Sequence, residues 1–168
     1  MSEFDFESRI VDIPDYPEPG VVFKDITPLF DDAEALHAVI DAIADHFAGA
    51  GITKVVGAEA RGFLVGVPVA YKLGCGFVPA RKPGKLPREV YSESYSLEYG
   101  TDELQIHRDA LTSDDRVLIV DDLVATRLEQ SGAKVAGFSF ILELSFLNPR
   151  DVIAADYGQE VYTLVKVD

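Results

Sequence analysis

Four runs of β-branched and aromatic residues, separated by segments with helical spacing, most strongly limit what this chain can fold into. The runs are ITKVVGAEA, RVLIVDD, KVAGFSFILEL and VYTLVKVD. Because they are almost continuously apolar, they are typical of strands that are covered on both faces of a sheet. Such strands alternating with helices indicate an α/β fold around a central, mostly parallel sheet that is flanked by helices.

Two helices are expected between these strands. In DDAEALHAVIDAIADHFAGAG the apolar residues recur at helical spacing, and Asp31 or Asp32 can cap the start. RGFLVGVPVAYKLG is expected to form a second helix, which buries Phe63, Leu64, Val67, Val69 and Leu73. GFVPARK predicts a short strand and ELQIHRDAL an edge strand. Residues 82–100 are polar and are expected to form a mobile loop or an excursion from the fold.

The composition restricts both the partners and the compartment. The chain has 168 residues, which predicts a single domain over 1–168, and its formal net charge is −14. Since nucleic-acid binding needs a basic face, this charge argues against nucleic acid as a partner. Cys75 is the single cysteine, and no apolar run approaches the roughly 20 residues of a membrane helix. MSEFDFESR has no signal-peptide pattern, so we expect a cytoplasmic protein without membrane contact.

Two adjacent carboxylates, Asp121 and Asp122, follow the apolar run RVLIV. Ligands of open α/β sheets bind beyond the carboxyl ends of the strands, so this position is a candidate site. Two adjacent carboxylates repel each other and need cations, donors or water around them. They can accept hydrogen bonds from a sugar diol and attract a magnesium-bound phosphate, or one of them can cap the next helix. The residues alone do not choose between these interpretations.

Basic residues follow two other strands. Arg61 comes directly after ITKVVGAEA, and ARKPGKLP places Arg81, Lys82 and Lys85 within five residues of a very acidic chain. The guanidinium fork suits phosphate oxygens, and a helix N-terminus already favours anions. Basic loops are usually only solvated, but the contrast with the rest of the chain favours a polyphosphate site. Glu98, in SYSLEYG, becomes a candidate for proton transfer if its loop closes over the site.

Five segments in a fixed order resemble the type I phosphoribosyltransferases, and within them the adenine-specific branch. They are PGVVFKDITPL, EARGF, RKPGKLP, SYSLEYG and VLIVDDLVAT. The resemblance implies a small N-terminal hood beside the parallel sheet, and a homodimer. It also implies transfer of the 5-phosphoribosyl group from phosphoribosyl pyrophosphate to N9 of adenine, giving AMP and pyrophosphate in purine salvage. Mg²⁺ would be carried by the substrate, near Asp121 and Asp122.

The resemblance gives roles to residues at the strand ends. Those that resemble pyrophosphate ligands, some of them acting across a dimer interface, are Arg61, Arg81, Lys82 and Lys85. Asp121 and Asp122 resemble the pair that holds the ribose hydroxyls and the magnesium shell. Ala125 and Thr126 are further candidates for substrate binding, since the loop for the 5′-phosphate begins here in the family. No protein residue is expected to bind the metal directly.

The resemblance also gives roles to residues around the purine. Phe23 and Leu123 resemble the two faces that sandwich the base. The backbone of Val22 would read the adenine edge and discriminate against 6-oxopurines. Glu98 resembles the loop carboxylate that handles the proton on N7, with Tyr99 beside it on the closing lid. Closure of this lid would exclude water from the reactive sugar.

The sequence departs from the family pattern after Thr126. In the family the segment continues into Gly-Gly-Thr, which holds the 5′-phosphate at a helix N-terminus, whereas here Arg127 follows directly. Only LVATRLEQSGA separates two strands whose parallel crossover needs about a dozen residues or more, usually in a helix. Either the sequence as read omits the loop and the front of the helix, or the protein has lost them. We expect the first, because the other motifs are intact.

Two other functions are compatible with the same fold. One is a regulator without catalytic activity that senses phosphoribosyl pyrophosphate or a purine nucleotide. Such proteins usually carry a nucleic-acid-binding module or a basic face, and the net charge of −14 argues against one. The other is a phosphoribosyltransferase for a 6-oxopurine, which PGVVF and SYSLEYG disfavour. An assay with each base in turn separates the three functions.

Overall fold

The computed structural model describes residues 4–97, 100–121, 132–144 and 149–167. The strands are β1 (Val11–Pro14), β2 (Val22–Asp25), β3 (Lys54–Ala58), β4 (Gly76–Ala80), β5 (Val90–Leu97), β6 (Gly100–His107), β7 (Arg116–Asp121), β8 (Lys134–Leu144) and β9 (Val161–Val167). The α-helices are α1 (Pro28–Asp31), α2 (Ala33–His46), α3 (Arg61–Leu73) and α4 (Pro149–Tyr157). The sequence patterns did not predict α4.

The central sheet has five parallel strands in the order β4-β3-β7-β8-β9. Its apolar side chains pack into two clusters. One cluster contains buried residues of α2 and α3, such as Val39 and Val69, and the other contains Ile106 of β6 and Ile153 of α4. Both faces of the sheet are therefore covered, which explains why β3 and β7 are apolar at consecutive positions. The expected α/β fold with a parallel sheet flanked by helices is confirmed.

The helix α2 begins where the sequence predicts. Asp32 is its N-cap, and the carboxylate accepts a hydrogen bond from the backbone N–H of Ala35 at 2.8 Å. The buried residues recur at helical spacing and include Val39, Ile40 and Ile43. This apolar stripe fixes α2 against the sheet, so the period of the sequence was a reliable guide to both the helix and its buried face.

The helix α3 forms as predicted, but its buried face differs from the expectation. Leu64 and Val67 are 53% and 49% exposed. Two glycines face the core instead, and a Cβ atom at Gly66 would be only 2.6 Å from the ring of Phe77. The helix approaches the sheet so closely that glycine is required at Gly66, and this turns the larger side chains outward. The prediction that α3 buries Leu64 and Val67 is therefore wrong.

Two antiparallel hairpins accompany the central sheet. β1 pairs with β2, which gives the small N-terminal hood, and β5 pairs with β6. Residues 82–100 were expected to form a mobile loop or an excursion, and Val90–Leu97 is a strand of the second hairpin, which is an excursion from the central sheet. ELQIHRDAL lies largely in β6, which is an edge strand of the two-stranded sheet that it forms with β5. None of the helices in the described ranges is long and apolar enough to cross a bilayer.

Candidate functional site

Three neighbouring strands end at one edge of the central sheet. Ala58, the last residue of β3, lies opposite Ala80, the last residue of β4. In the same register Gly57 lies opposite Val120 of β7. The residues that follow these positions, Glu59 to Arg61, Arg81 to Lys85 and Asp121, therefore meet at one edge. The structure thus brings the first basic motif, the basic cluster and the first aspartate of the acidic pair together.

Gly62 lies directly against the end of β7. A Cβ atom at this position would be 2.9 Å from the carbonyl oxygen of Val120 and 3.2 Å from Oδ1 of Asp121. The first distance is one that real Cβ atoms essentially never show, and the second is unusually tight. Glycine therefore allows the first turn of α3 to contact the buried carboxylate of Asp121, which is 9% exposed. The glycine of EARGF serves this close approach.

Glu59 links the ends of β3 and β4. Its carboxylate accepts hydrogen bonds from Nε and Nη2 of Arg81, at 3.2 and 3.0 Å, and from the backbone N–H of Lys82 at 3.0 Å. The hydrogen bonds from Arg81 and Lys82 lower the pKa of Glu59, and Glu59 raises the pKa of Arg81. Sequence reasoning missed Glu59. The available signal was a carboxylate at a strand end, two residues before Arg61.

The segment from Arg81 to Lys85 is a tight, basic turn. The N–H of Lys85 donates to the carbonyl of Lys82 at 3.3 Å, and Nη1 of Arg81 donates to the carbonyl of Lys85 at 3.4 Å. Gly84 has a φ of +76°, which favours glycine. Arg81 and Gln105 exchange backbone hydrogen bonds of 2.8 and 2.7 Å, which attach the turn to β6. Lys82 and Lys85 are exposed, so their ammonium groups lie at the protein surface.

The hood carries the candidate purine-binding residues. Val22 and Phe23 are the first two residues of β2, opposite Pro14 and Ile13 of β1. The rings of Phe23 and Tyr16 meet edge to face, with their centroids 5.4 Å apart. Val22 is 51% exposed, which is unusual for a large apolar side chain on a strand. The hood therefore presents apolar surface beside an aromatic ring whose orientation is fixed by a second ring.

The end of β2 lies near the basic motif at the start of α3. Asp25 accepts hydrogen bonds from the N–H and the hydroxyl group of Thr27, at 2.9 and 3.0 Å. These hydrogen bonds lower the pKa of Asp25, and the charge of Arg61 lowers it further. An electrostatic effect of this kind needs proximity, so the two charges of Asp25 and Arg61 lie near each other. Asp25 was not predicted from the sequence.

Several predicted site residues lie outside the ranges that the structure describes. They are Glu98, Tyr99, Asp122, Leu123, Ala125 and Thr126. The placement of the lid carboxylate, the second face of the base pocket and the start of the phosphate loop therefore stays a prediction. Within the described ranges, no group of three or more His, Cys, Asp and Glu side chains is arranged to hold a metal ion.

No family model matches the chain, but individual proteins are similar over nearly its whole length. It is 51% identical to the adenine phosphoribosyltransferase of Aeromonas salmonicida, over 96% of this chain and 93% of that protein. This chain belongs to the adenine phosphoribosyltransferase family. The activity predicted from the motifs, phosphoribosyl transfer to adenine in purine salvage, is thereby confirmed, as is the assignment to the transferases.

Solved structures of adenine phosphoribosyltransferases agree with the fold. The enzyme of Thermoanaerobacter pseudethanolicus is 44% identical, with a TM-score of 0.89 over 96% of this chain and 98% of that one. The enzyme of Saccharomyces cerevisiae, solved with adenine and an imino-altritol bisphosphate, is 35% identical, with a TM-score of 0.86 over 95% and 96% of the two chains. The arrangement of strands around the candidate site is therefore that of adenine phosphoribosyltransferases.

This chain is shorter inside the aligned region than its relative. The alignment with the Aeromonas adenine phosphoribosyltransferase spans 170 positions but covers 96% of 168 residues, which is about 161. About nine positions therefore have no counterpart in this chain. The full sequence has Arg127 directly after Thr126, so a chain of this sequence lacks the Gly-Gly-Thr of the family pattern at this position. The expectation that the loop was omitted from the sequence as read stays a prediction, which the mass of the intact protein tests against 18.4 kDa.

Proposed function

We propose that the edge formed by β3, β4 and β7 binds phosphoribosyl pyrophosphate for transfer to adenine. The observation that supports this most strongly is the convergence of Arg61, the turn that follows β4, and Asp121. The candidate pyrophosphate ligands are Arg61, Arg81, Lys82 and Lys85. Asp121, together with Asp122, would accept hydrogen bonds from the ribose hydroxyls. Charge develops on the departing pyrophosphate, so cations fixed beside it lower the barrier.

We further propose that the hood binds the base. The ring of Phe23 would stack on adenine, with Leu123 on the opposite face and the backbone of Val22 at the purine edge. The edge-to-face contact of Phe23 with Tyr16 supports this, because it fixes the ring before the base arrives. Glu98 would handle the proton on N7, with Tyr99 beside it on the lid. The Saccharomyces relative was solved with adenine, which supports adenine as the base.

We propose that Mg²⁺ enters with the sugar pyrophosphate. Mg²⁺ usually keeps several waters and binds one or two carboxylates together with substrate phosphates. The carboxylate of Asp121 at the end of β7 would lie near the ion and accept hydrogen bonds from the water molecules that the ion keeps, without binding the ion directly. The bound metal would neutralise part of the pyrophosphate charge. The residues of the chain would orient the metal-bearing substrate and would not enclose the ion.

A homodimer is the assembly that we propose. Leu64, Val67 and Tyr71 are 53%, 49% and 89% exposed and fall at helical spacing on α3, which gives one apolar stripe. Exposed apolar stripes of this kind are typical of subunit interfaces. Light scattering coupled to gel filtration should give twice the monomer mass of 18.4 kDa. Leu64→Asp combined with Tyr71→Asp should give the monomer mass, and a wild-type monomer would contradict the proposal.

The cytoplasm is the compartment that we propose, and a single domain over 1–168 is the organisation. A single cysteine, Cys75, supports a reducing compartment. Each of the two apolar clusters contains residues from several strands of the central sheet and from the elements that pack on it, which supports one domain. Limited proteolysis tests the second statement, since one domain should give no stable fragment that keeps only half of the sheet.

An assay with separated bases tests the proposed reaction. The protein is incubated with phosphoribosyl pyrophosphate, Mg²⁺ and adenine, hypoxanthine or guanine, and the products are separated by chromatography. We expect AMP with adenine, and no nucleotide with the two 6-oxopurines, because Val22 reads the adenine edge. Turnover of hypoxanthine or guanine without turnover of adenine would contradict the base assignment. Tight nucleotide binding without turnover of any base would support a regulator instead.

A further inference from the structure

The guanidinium group of Arg81 has two edges that can each bind an oxyanion. Glu59 occupies one of them, since its carboxylate accepts hydrogen bonds from Nε at 3.2 Å and from Nη2 at 3.0 Å. The other edge, formed by Nη1 and Nη2, has a long 3.4 Å contact to the carbonyl oxygen of Lys85. Arg81 is therefore held on one side by a carboxylate, while its second edge makes a weak contact that a stronger acceptor can replace.

Glu59 is itself fixed in place. Its backbone N–H donates to the carbonyl of Ala80 at 2.8 Å, and its carboxylate accepts from the N–H of Lys82 at 3.0 Å. The side chain of Glu59 is only 19% exposed, compared with 33% for Arg81. A carboxylate tied to the backbone on both sides of Arg81 restricts the rotamers that this long side chain can adopt. Without that restriction, the side chain of Arg81 would be mobile before binding and would lose more conformational entropy when an anion binds.

The negative charge of Glu59, like its fixed position, strengthens its hydrogen bonds to Arg81. Because hydrogen bonds from Arg81 and Lys82 lower its pKa, Glu59 stays ionised at neutral pH. An ionised carboxylate makes a stronger hydrogen bond to a guanidinium than a neutral acceptor does. The cluster of Arg81, Lys82 and Lys85 still carries three positive charges against one negative charge, so the turn remains attractive to a polyphosphate.

We propose that Glu59 is a positioning residue for pyrophosphate: it holds the Nε and Nη2 edge of Arg81, so that the Nη1 and Nη2 edge is presented to the substrate. The inference rests on the proposed function, in which Arg81 binds the pyrophosphate group. Glu59 does not touch the reacting atoms in this arrangement. It acts through Arg81, and its effect therefore disappears when Arg81 is absent.

A double-mutant cycle tests this dependence. KM for phosphoribosyl pyrophosphate, KM for adenine and kcat are measured for wild type, Glu59→Ala, Arg81→Ala and the double variant. We expect Glu59→Ala to raise KM for phosphoribosyl pyrophosphate about tenfold while KM for adenine stays within about twofold of wild type. In the Arg81→Ala background, Glu59→Ala should change KM for phosphoribosyl pyrophosphate by less than about twofold.

Two further variants distinguish the loss of Arg81 positioning from a general effect of removing a negative charge and from a failure to fold. Glu59→Gln keeps the shape and one acceptor oxygen, so we expect an increase in KM of about threefold. Glu160→Gln removes the same charge at the opposite end of the sheet, where Glu160 pairs with His46, and should leave KM unchanged. Thermal unfolding shows whether each variant folds. If Glu59→Ala does not fold, the nearly isosteric Glu59→Gln replaces it in the comparison with Arg81→Ala.

The outcomes distinguish the inference from the function on which it rests. Independent, multiplying effects of Glu59→Ala and Arg81→Ala would overturn positioning through Arg81. A decrease in KM with Glu59→Ala would also overturn it, since Glu59 would then compete with the substrate for Arg81. If Arg81→Ala alone leaves KM for phosphoribosyl pyrophosphate unchanged, the assignment of Arg81 to the pyrophosphate is wrong. The adenine assay of the wild-type protein would be unaffected by that result.

Discussion

Two of the crossovers that join neighbouring parallel strands of the central sheet, from β3 to β4 and from β7 to β8, differ in length. Between β3 and β4 lie the 17 residues 59–75, and 13 of them form α3. Between β7 and β8 lie only the 12 residues 122–133. The strands that the two crossovers leave, β3 and β7, have five and six residues, so both crossovers return over about 20 Å, the length of a helix of about 13 residues. The second crossover is shorter than α3 alone.

The difference shows what the extra residues of a crossover do in this fold. In the first crossover the residues beyond the helix include Glu59, which accepts hydrogen bonds from Arg81 and Lys82 after the end of β4. The second crossover, with 12 residues, is too short to contain both a helix of the length of α3 and a phosphate loop. About nine more residues, the number by which the Aeromonas relative exceeds this chain within the alignment, would bring it to about 21. We therefore place the shortfall here and expect weak binding of the 5′-phosphate.

Lengthening the second crossover should change the protein more than any other variant below, through the KM for phosphoribosyl pyrophosphate. Insertion of nine residues that begin with Gly-Gly-Thr between Thr126 and Arg127 should lower KM for phosphoribosyl pyrophosphate about a hundredfold. Two hydrogen bonds from backbone amides to a charged phosphate are enough for an effect of this size. Steady-state kinetics with adenine held at saturation measures the change.

A second insertion of the same length controls for the spacing. Nine residues without the two glycines and the threonine restore the length of the crossover but supply no phosphate cradle. We expect this variant to recover thermal stability without the hundredfold change in KM. If neither insertion alters KM for phosphoribosyl pyrophosphate, the second crossover is not the phosphate-binding element.

The glycines of the two crossovers should differ in how well they tolerate alanine. Gly62→Ala places a Cβ atom 2.9 Å from the carbonyl oxygen of Val120, so we expect a loss of about 2 kcal/mol in the free energy of unfolding. At Gly132, with a φ of +72°, a Cβ atom would make only an ordinary contact of 3.9 Å with the Cβ atom of Ser113, so Gly132→Ala should lose only about 1 kcal/mol, from backbone strain. Urea denaturation measures both values. Equal losses would show that the first crossover is not packed more tightly.

The smallest effect concerns the far end of β8, which follows the short crossover. Burial raises the pKa of Glu143, but hydrogen bonds from Arg150 and Thr163 outweigh this and leave the pKa below its usual value. A carboxyl group with a lowered pKa stabilises the fold above its unfolded-state pKa, and this stabilisation is lost as the pH falls through the folded-state pKa.

Glu143→Gln should therefore reduce the free energy of unfolding by about 1 kcal/mol at neutral pH. The difference from wild type should shrink as the pH falls through the acid range in which Glu143 titrates. Urea denaturation across that range measures it, with Glu160→Gln as an exposed control. A difference that is constant with pH would mean that Glu143 does not anchor β8 through its charge.

The sequence was a good guide where local pattern and burial agree. The near-continuous apolar runs predicted the parallel strands, and the helical period of α2 predicted both its start at Asp32 and its buried face. Chemical type also marked three strand ends as candidates, because Arg61, the basic cluster and Asp121 each lie at or directly after the end of a strand. The parallel register then brings these ends to one edge.

The sequence was a poor guide where distant residues decide the outcome. The outward turn of Leu64 and Val67 depends on the ring of Phe77, which lies on another element. The strand β5, which lies within residues 82–100, depends on pairing with β6, and the polar composition of the segment gave no sign of this pairing. Glu59 was missed because its role depends on contact with Arg81, 22 residues away. Such long-range contacts leave no local pattern in the sequence.

The comparison of AMP with adenosine tests the central claim, that this site has a complete pyrophosphate half and an incomplete 5′-phosphate half. The two ligands share the base and the ribose and differ only in the 5′-phosphate. Titration calorimetry gives the Kd of each for the wild-type protein. We predict Kd values within about threefold of each other, because little is left to bind the phosphate. AMP bound a hundredfold more tightly than adenosine would contradict the account.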